Sequence, residues 1–150
     1  MIKHILVPTD GSELSVKAAS FAGELARLSN AQVTVQLVQD ERSVIASAWN
    51  ATADQSDEGS VEETRAAIER AALKNEMQST REALGEVPAG VELIHVWGHP
   101  ADQICRFVKQ NNVDLIVMGS HGRGGFQEML LGSVSHSVVN KATCAVTIVR

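Results

Sequence analysis

No stretch of this chain is apolar for long enough to span a bilayer as a helix. There are only two cysteines, Cys105 and Cys144, and their spacing suits neither a zinc site nor a redox pair. They read as small buried hydrophobes, and with no charged-then-apolar leader ahead of the first strand-like run the expectation is a reduced, cytoplasmic protein. Positive charge is also short: 13 Lys and Arg stand against 18 Asp and Glu, a net charge of -5. That balance argues against a nucleic-acid binder held by phosphate contacts. No Gly-Lys pair occurs, which excludes a P-loop. Gly122 and Gly124 begin a dinucleotide fingerprint, but Gln127 stands where its third glycine belongs. The five histidines, His4, His95, His99, His121 and His136, show no metal-ligand spacing, so no metal-binding residue is assigned.

A chain of 150 residues, 44% hydrophobic and 21% charged, is suited to a single domain over 1–150 with a sizeable core. Strand-like and helix-like stretches alternate along it. His4–Val7 is a short apolar run before Pro8, and Thr9-Asp10-Gly11-Ser12 completes a turn in which Ser12 or Asp10 can cap a helix. Leu14, Ala18, Phe21, Leu25 and Leu28 then give that helix an apolar face, ended by Ser29-Asn30. Val33, Val35 and Leu37-Val38 form a β-branched strand. From 39 to 59 no period holds, which predicts a long connection with a short helical piece near Val44–Trp49. Ser60-Val61-Glu62-Glu63 has capping-box spacing and opens a helix to about Leu84, with Ala66, Leu73, Met77 and Leu84 inward and Arg65, Glu69, Arg70 and Lys74 outward. A strand over Glu92–Trp97, a helix with Pro100 in its first turn and Ile104, Phe107 and Val108 on its face, and a strand over Asp114–Met118 follow. Val134, Val138, Val139 and Ala142 mark a last helix, and Ala145–Val149 a last strand. The order β-α-β-α-β-α-β-α-β predicts an α/β fold, a five-stranded parallel doubly wound sheet with helices on both faces. Ligands of such sheets bind beyond the strand C-termini where the winding reverses, which points to strands one and four as neighbours there.

The stretch from Gly119 to Ser135 carries the chemistry. It leaves the strand Leu115–Met118, passes Gly119-Ser120-His121-Gly122-Arg123-Gly124-Gly125, and enters a helix at Gly132-Ser133-Val134-Ser135. Glycines permit positive φ and close approach of backbone N–H groups to a ligand. A helix start adds unpaired N–H groups and a partial positive charge. Together they favour an anion, phosphate above all. Each residue also has a structural reading: Ser133 and Ser135 as helix caps, Arg123 as a solvated charge, His121 as a loop hydrogen-bonder, Asp10 as a turn residue.

Gly119, two residues, Gly122, nine residues, then Gly132-Ser133 resembles the ATP-binding signature of the universal stress protein family. The resemblance extends over nearly the whole chain: Val7-Pro8-Thr9-Asp10-Gly11-Ser12 resembles the family's first turn, Gly98-His99-Pro100 its Gly-x-Pro turn, and Val117–Gly122 its run after strand four. It implies a Rossmann-like sheet of the adenine nucleotide alpha hydrolase-like kind. It also implies ATP as ligand, with Pro8, Thr9 and Asp10 bordering the adenosine, Val38 packing on adenine or serving simply as core, and Gly119 through Gly125 with Gly132–Ser135 around the phosphates. Mg²⁺ bridging ATP oxygens is compatible with this, since it needs few protein ligands. Where the family usually has Cys-Pro before its last strand, this chain has Cys144-Ala145.

Hydrolysis needs a positioned water, a base and charge stabilisation. Asp10 is the only carboxylate expected near the site, so no catalytic residue is assigned and binding is favoured over turnover. The leading reading is an ATP-binding regulatory or stress-response module; the alternatives are a same-fold interaction protein with an empty pocket and a slow ATPase. The last strand, with Val146 and Ile148 alternating around Thr147, is expected at a sheet edge and to pair two copies into a homodimer, as family members commonly do.

Overall fold

The structure is a computed structural model that describes residues 1–42, 58–122 and 131–150. Its strands are β1 (His4–Thr9), β2 (Gln32–Gln39), β3 (Val91–Trp97), β4 (Leu115–Gly119) and β5 (Ala145–Val149). The helices are α1 (Glu13–Ser29), α2 (Glu58–Ala72), α3 (Gln78–Leu84), α4 (Pro100–Gln110) and α5 (Ser133–Lys141), with a π-helical turn, Leu73–Met77, joining α2 to α3. All pairings are parallel, in the order β3-β2-β1-β4-β5. The α/β doubly wound architecture expected from the alternation is therefore present.

β1 lies at the centre, and Ile5, Leu6 and Val7 are wholly buried because helices cover both faces. Alternate residues point to opposite faces. Ile5 and Val7 join Val33, Val35, Leu115 and Val117 beneath α1 and α3; Leu6 joins Ile116 and Met118 beneath α4 and α5. Cys105 belongs to the second cluster, and burial pushes its thiol pKa up, as a small hydrophobe requires.

The helix faces differ from their expected composition. Ser12 caps α1, accepting from the Ser15 N–H, and Asn30 ends it in the left-handed region at φ 54°. Its buried stripe, however, is Ser15, Ala18, Ala19, Ala22, Gly23 and Ala26, while Phe21 is 41% and Leu28 86% exposed. Small side chains let α1 approach the sheet and α3 so closely that larger ones are turned outward. A Cβ on Gly23 would collide with the Leu84 carbonyl.

The second helix also departs from the sequence reading. It begins at Glu58, two residues before the expected Ser60 cap. The π turn then adds one residue to its register, so that Ala72, Met77, Thr80 and Leu84 face the core and Leu73 is left 45% exposed. Arg65 and Glu69 are not simply solvated: the Arg65 guanidinium lies 4.7 Å from the Trp97 ring centre, and Glu69 sits 3.2 Å from His95 Nδ1. On α5, Val138 is buried but Val139 is 44% exposed. The expected helical piece at Val44–Trp49 lies outside the described residues.

Candidate functional site

β1 and β2 stay paired as far as Thr9 and Leu37, and β4 and β5 as far as Gly119 and Val149. β1 and β4 pair only at Ile5–Leu115 and Leu6–Ile116. Beyond Leu6 the two halves of the sheet separate, and a cavity of about 490 Å³ opens at that split. This is where the winding reverses, and the volume lies within the range of small-molecule sites.

The cavity has two kinds of wall. One is largely apolar: Pro8 from β1, Val38 from β2, Pro100 and Ile104 from α4, and Met118 from β4. The other is formed by the glycine-bearing loop and the start of α5, with His121, Gly122, Gly132, Ser133 and Ser135. Gly132 is the N-cap of α5 and has no side chain with which to cap the first-turn N–H groups. Asp10 is the one carboxylate lining the cavity among the described residues, and neither Lys nor Arg lines it there.

The glycines of this wall provide space rather than unusual torsion. Among the described residues the positive-φ glycines are Gly11, Gly85, Gly90 and Gly98; Gly119, Gly122 and Gly132 are not among them. A Cβ on Gly119 would stand 2.9 Å from Leu14 Cβ, and one on Gly122 would strike an Asp10 carboxylate oxygen. On Gly132 it would press on the Ser120 carbonyl at 3.3 Å and on His121 at 3.4 Å. The glycines thus allow α1, the β1 turn and the loop to close on one another, and that closure shapes the cradle.

Hydroxyls hold the arrangement. Thr9 Oγ1 lies 2.7 Å from Thr80 Oγ1 and 3.1 Å from Ser15 Oγ, and it accepts the Gly11 N–H at 3.1 Å. Asp10 Oδ1 accepts the Ser12 N–H at 3.0 Å. The Ser135 hydroxyl donates to the Ser120 carbonyl at 2.6 Å and lies 3.0 Å from that of Gly132, which also anchors the loop through its N–H to Ser120 at 2.7 Å. The Ser135 hydroxyl proton is therefore engaged within the protein, while Ser133 is exposed at the cavity.

Eleven of the residues singled out from sequence line this one cavity: Pro8, Thr9, Asp10 and Val38 on one side, Gly119, His121 and Gly122 above β4, and Gly132 to Ser135 on α5. Ser120 is set behind it, 2% exposed, its hydroxyl 3.0 Å from His121 Nδ1. Arg123, Gly124 and Gly125 lie outside the described residues. Sequence reasoning missed Ser15 and Gln36 and took Pro100, Ile104 and Met118 as structural only. Gln36 carries a legible signal: a polar residue two positions before Val38, on the same strand face, within a buried run. Among the described residues, no group of three or more His, Cys, Asp or Glu side chains could hold a metal ion, and no helix is long and apolar enough to cross a membrane.

A profile of the Universal stress protein family matches residues 1–150. The chain belongs to the universal stress protein family. It is 36% identical over 150 residues to Universal stress protein YxiE of Bacillus subtilis, covering all of both chains. It is 33% identical over 157 residues to Universal stress protein MJ0577 of Methanocaldococcus jannaschii, covering 100% of this chain and 96% of that one. The solved structure of MJ0577 superposes with a TM-score of 0.82 at 31% identity, over 99% of this chain and 96% of that one. More distant universal stress proteins share the fold. One from Arabidopsis thaliana was solved with AMP bound, at 20% identity and TM-score 0.64, covering 97% of this chain and 90% of that one. Others were solved with cAMP and, from Archaeoglobus fulgidus, with dAMP.

Proposed function

We propose that this universal stress protein binds an adenine nucleotide, ATP foremost, in the cavity at the β1–β4 split, and that the bound nucleotide biases its shape or its partners. The observation that carries this reading is the pairing of two unlike walls in one cavity. The apolar wall suits a purine ring; the glycine loop and the start of α5 suit phosphates. The adenine nucleotides seen in structural relatives support the ligand class. Mg²⁺ accompanying ATP would be held by phosphate oxygens and water rather than by a protein cage. Mass spectrometry of ligand released from the purified protein tests the reading directly. Adenine nucleotide in the released fraction is expected. A protein that releases none and takes up none when ATP is added would instead be a same-fold interaction protein.

Turnover is expected to be slow or absent. Asp10, the cavity carboxylate, is already engaged by the Ser12 N–H and stands against Gly122. A purified sample hydrolysing ATP at about 1 s⁻¹, the low end of ordinary enzyme rates, with the activity lost in Asp10→Ala, would establish an ATPase.

A homodimer through β5 is also proposed. β5 is an edge strand, and Val146 and Ile148 are only partly covered by the second core cluster. An edge with unpaired N–H and C=O groups invites antiparallel pairing with a second copy. Light scattering at micromolar concentration should report twice 16.1 kDa, and Val146→Pro should move the population to monomer. A parent that is monomeric throughout that range would exclude the edge pairing.

A further inference from the structure

A second hollow, of about 510 Å³, lies where α4 meets the end of α5 and shares no lining residue with the cavity at the β1–β4 split. α4 supplies Asp102, Cys105, Arg106, Lys109 and Gln110, at the spacing that puts them on one helix face, and α5 supplies Lys141. Three of these side chains are cationic and one is anionic, in a chain whose net charge is -5. The one carboxylate is already used: Asp102 Oδ1 accepts from Lys141 Nζ at 3.0 Å, and Oδ2 lies 3.5 Å from His99 Nδ1. Arg106 and Lys109 form no ion pair among the described residues. Cys105, 7% exposed, is the buried member of the set, and Lys141, Lys109 and Asp102 all stand near enough to act on its thiol. The charges therefore converge on one place. Lys109 and Lys141 occupy the last turns of their helices, where a cation suits the macrodipole. That accounts for each singly, but not for Arg106 in the middle of α4, nor for three cations from two helices around one hollow. Like charges held together repel until a counter-charge joins them.

We propose that this hollow binds a small polyvalent oxyanion, one bearing two or more phosphate or carboxylate groups. The Arg106 guanidinium offers a planar fork to one such group, Lys109 and Lys141 meet the others as point charges, and the Gln110 amide adds a neutral donor. Among the described residues no aromatic or large aliphatic side chain lines the hollow. Recognition therefore rests on charge, which suits a compact anion and leaves a nucleobase or an apolar peptide without a hold.

The test is titration of the full chain with pyrophosphate and, separately, with citrate at low ionic strength, followed by amide NMR. The Arg106, Lys109, Gln110 and Lys141 amides should shift together and saturate, with a dissociation constant on the order of 1 mM. Chloride at matched ionic strength should not reproduce the shifts. The anion that binds tighter identifies the group the hollow prefers. Arg106→Gln combined with Lys109→Gln, both on an exposed part of α4, should weaken binding by at least about tenfold and leave the unfolding midpoint unchanged. Because the moving resonances separate this hollow from the start of α5 in the first cavity, the outcome is independent of the nucleotide reading. Shifts that grow without saturating, that appear only around Gly119, Gly122 and Ser133, or that persist in the double variant would overturn the assignment and leave the cations as a solvated helix face.

Discussion

Gly122→Val is expected to lower ATP affinity by about a hundredfold, close to 2.7 kcal/mol, in a protein that remains folded. The cause is local. Gly122 stands against the Asp10 carboxylate so closely that a Cβ would collide with it, and Val adds two methyl groups beyond that Cβ. Either Asp10 leaves the turn that its bond to the Ser12 N–H stabilises, or the loop lifts from the β1 turn. Both widen the cavity at the junction of its two walls. Loss of a small geometric fit is expensive where several N–H groups must reach the same phosphates at once. Gly122 lies beyond the C-terminal end of β4 and outside the core clusters, so the unfolding midpoint should change little. Calorimetry on the folded variant decides, and unchanged affinity would take the glycine loop out of the site.

Gly23→Ala should destabilise the protein by at least about 2 kcal/mol, although alanine is the better helix former by about 1 kcal/mol. The two effects oppose each other, and geometry decides between them. Gly23 is buried in the middle of α1, and its missing Cβ is the space occupied by the Leu84 carbonyl at the end of α3. That obstacle is backbone, with no rotamer into which to retreat. To admit a methyl group α1 and α3 must separate, loosening the contacts of Ala19, Ala22 and Ala26. Arg27, which donates to the same Leu84 carbonyl at 3.0 Å and to that of Glu86 at 3.2 Å, would lose its geometry as well. Urea unfolding measures the difference; a gain in stability would mean that the two helices part freely.

The strands, the neighbouring of the first and fourth, and the location of the cavity were legible because they depend on short apolar runs and on turn chemistry. Ile5, Leu6 and Val7 form a continuous apolar run, and that requires burial on both faces. Helix faces were harder to read. Hydrophobic size suggested Phe21 and Leu28 for the core of α1, yet close approach selects the smallest residues, and no period in the sequence records how near two elements will come. The π turn at Leu73–Met77 was hidden for a related reason: a single added residue shifts Leu73 outward without any breaker to announce it. At the site, motif spacing located Gly119, Gly122 and Gly132, and of the two roles expected of them the positive φ is absent. What matters at all three is the missing Cβ, which leaves space for Leu14, Asp10 and His121. Beyond Pro8 and Val38 the apolar wall escaped attention because Ile104 and Met118 obey ordinary core periodicity, and nothing in a periodic pattern separates a core residue from one beside a cavity.

The account is tested most directly by equilibrium calorimetry of ATP with protein freed of co-purified ligand. Saturable binding of one ATP per chain is expected, with a dissociation constant on the order of micromolar, near -8 kcal/mol, and AMP should compete for the same site. Gly122→Val, run alongside, should lose that binding without unfolding. The absence of saturable binding by the folded parent up to about 1 mM ATP, where binding free energy falls to about -4 kcal/mol, would contradict the central claim.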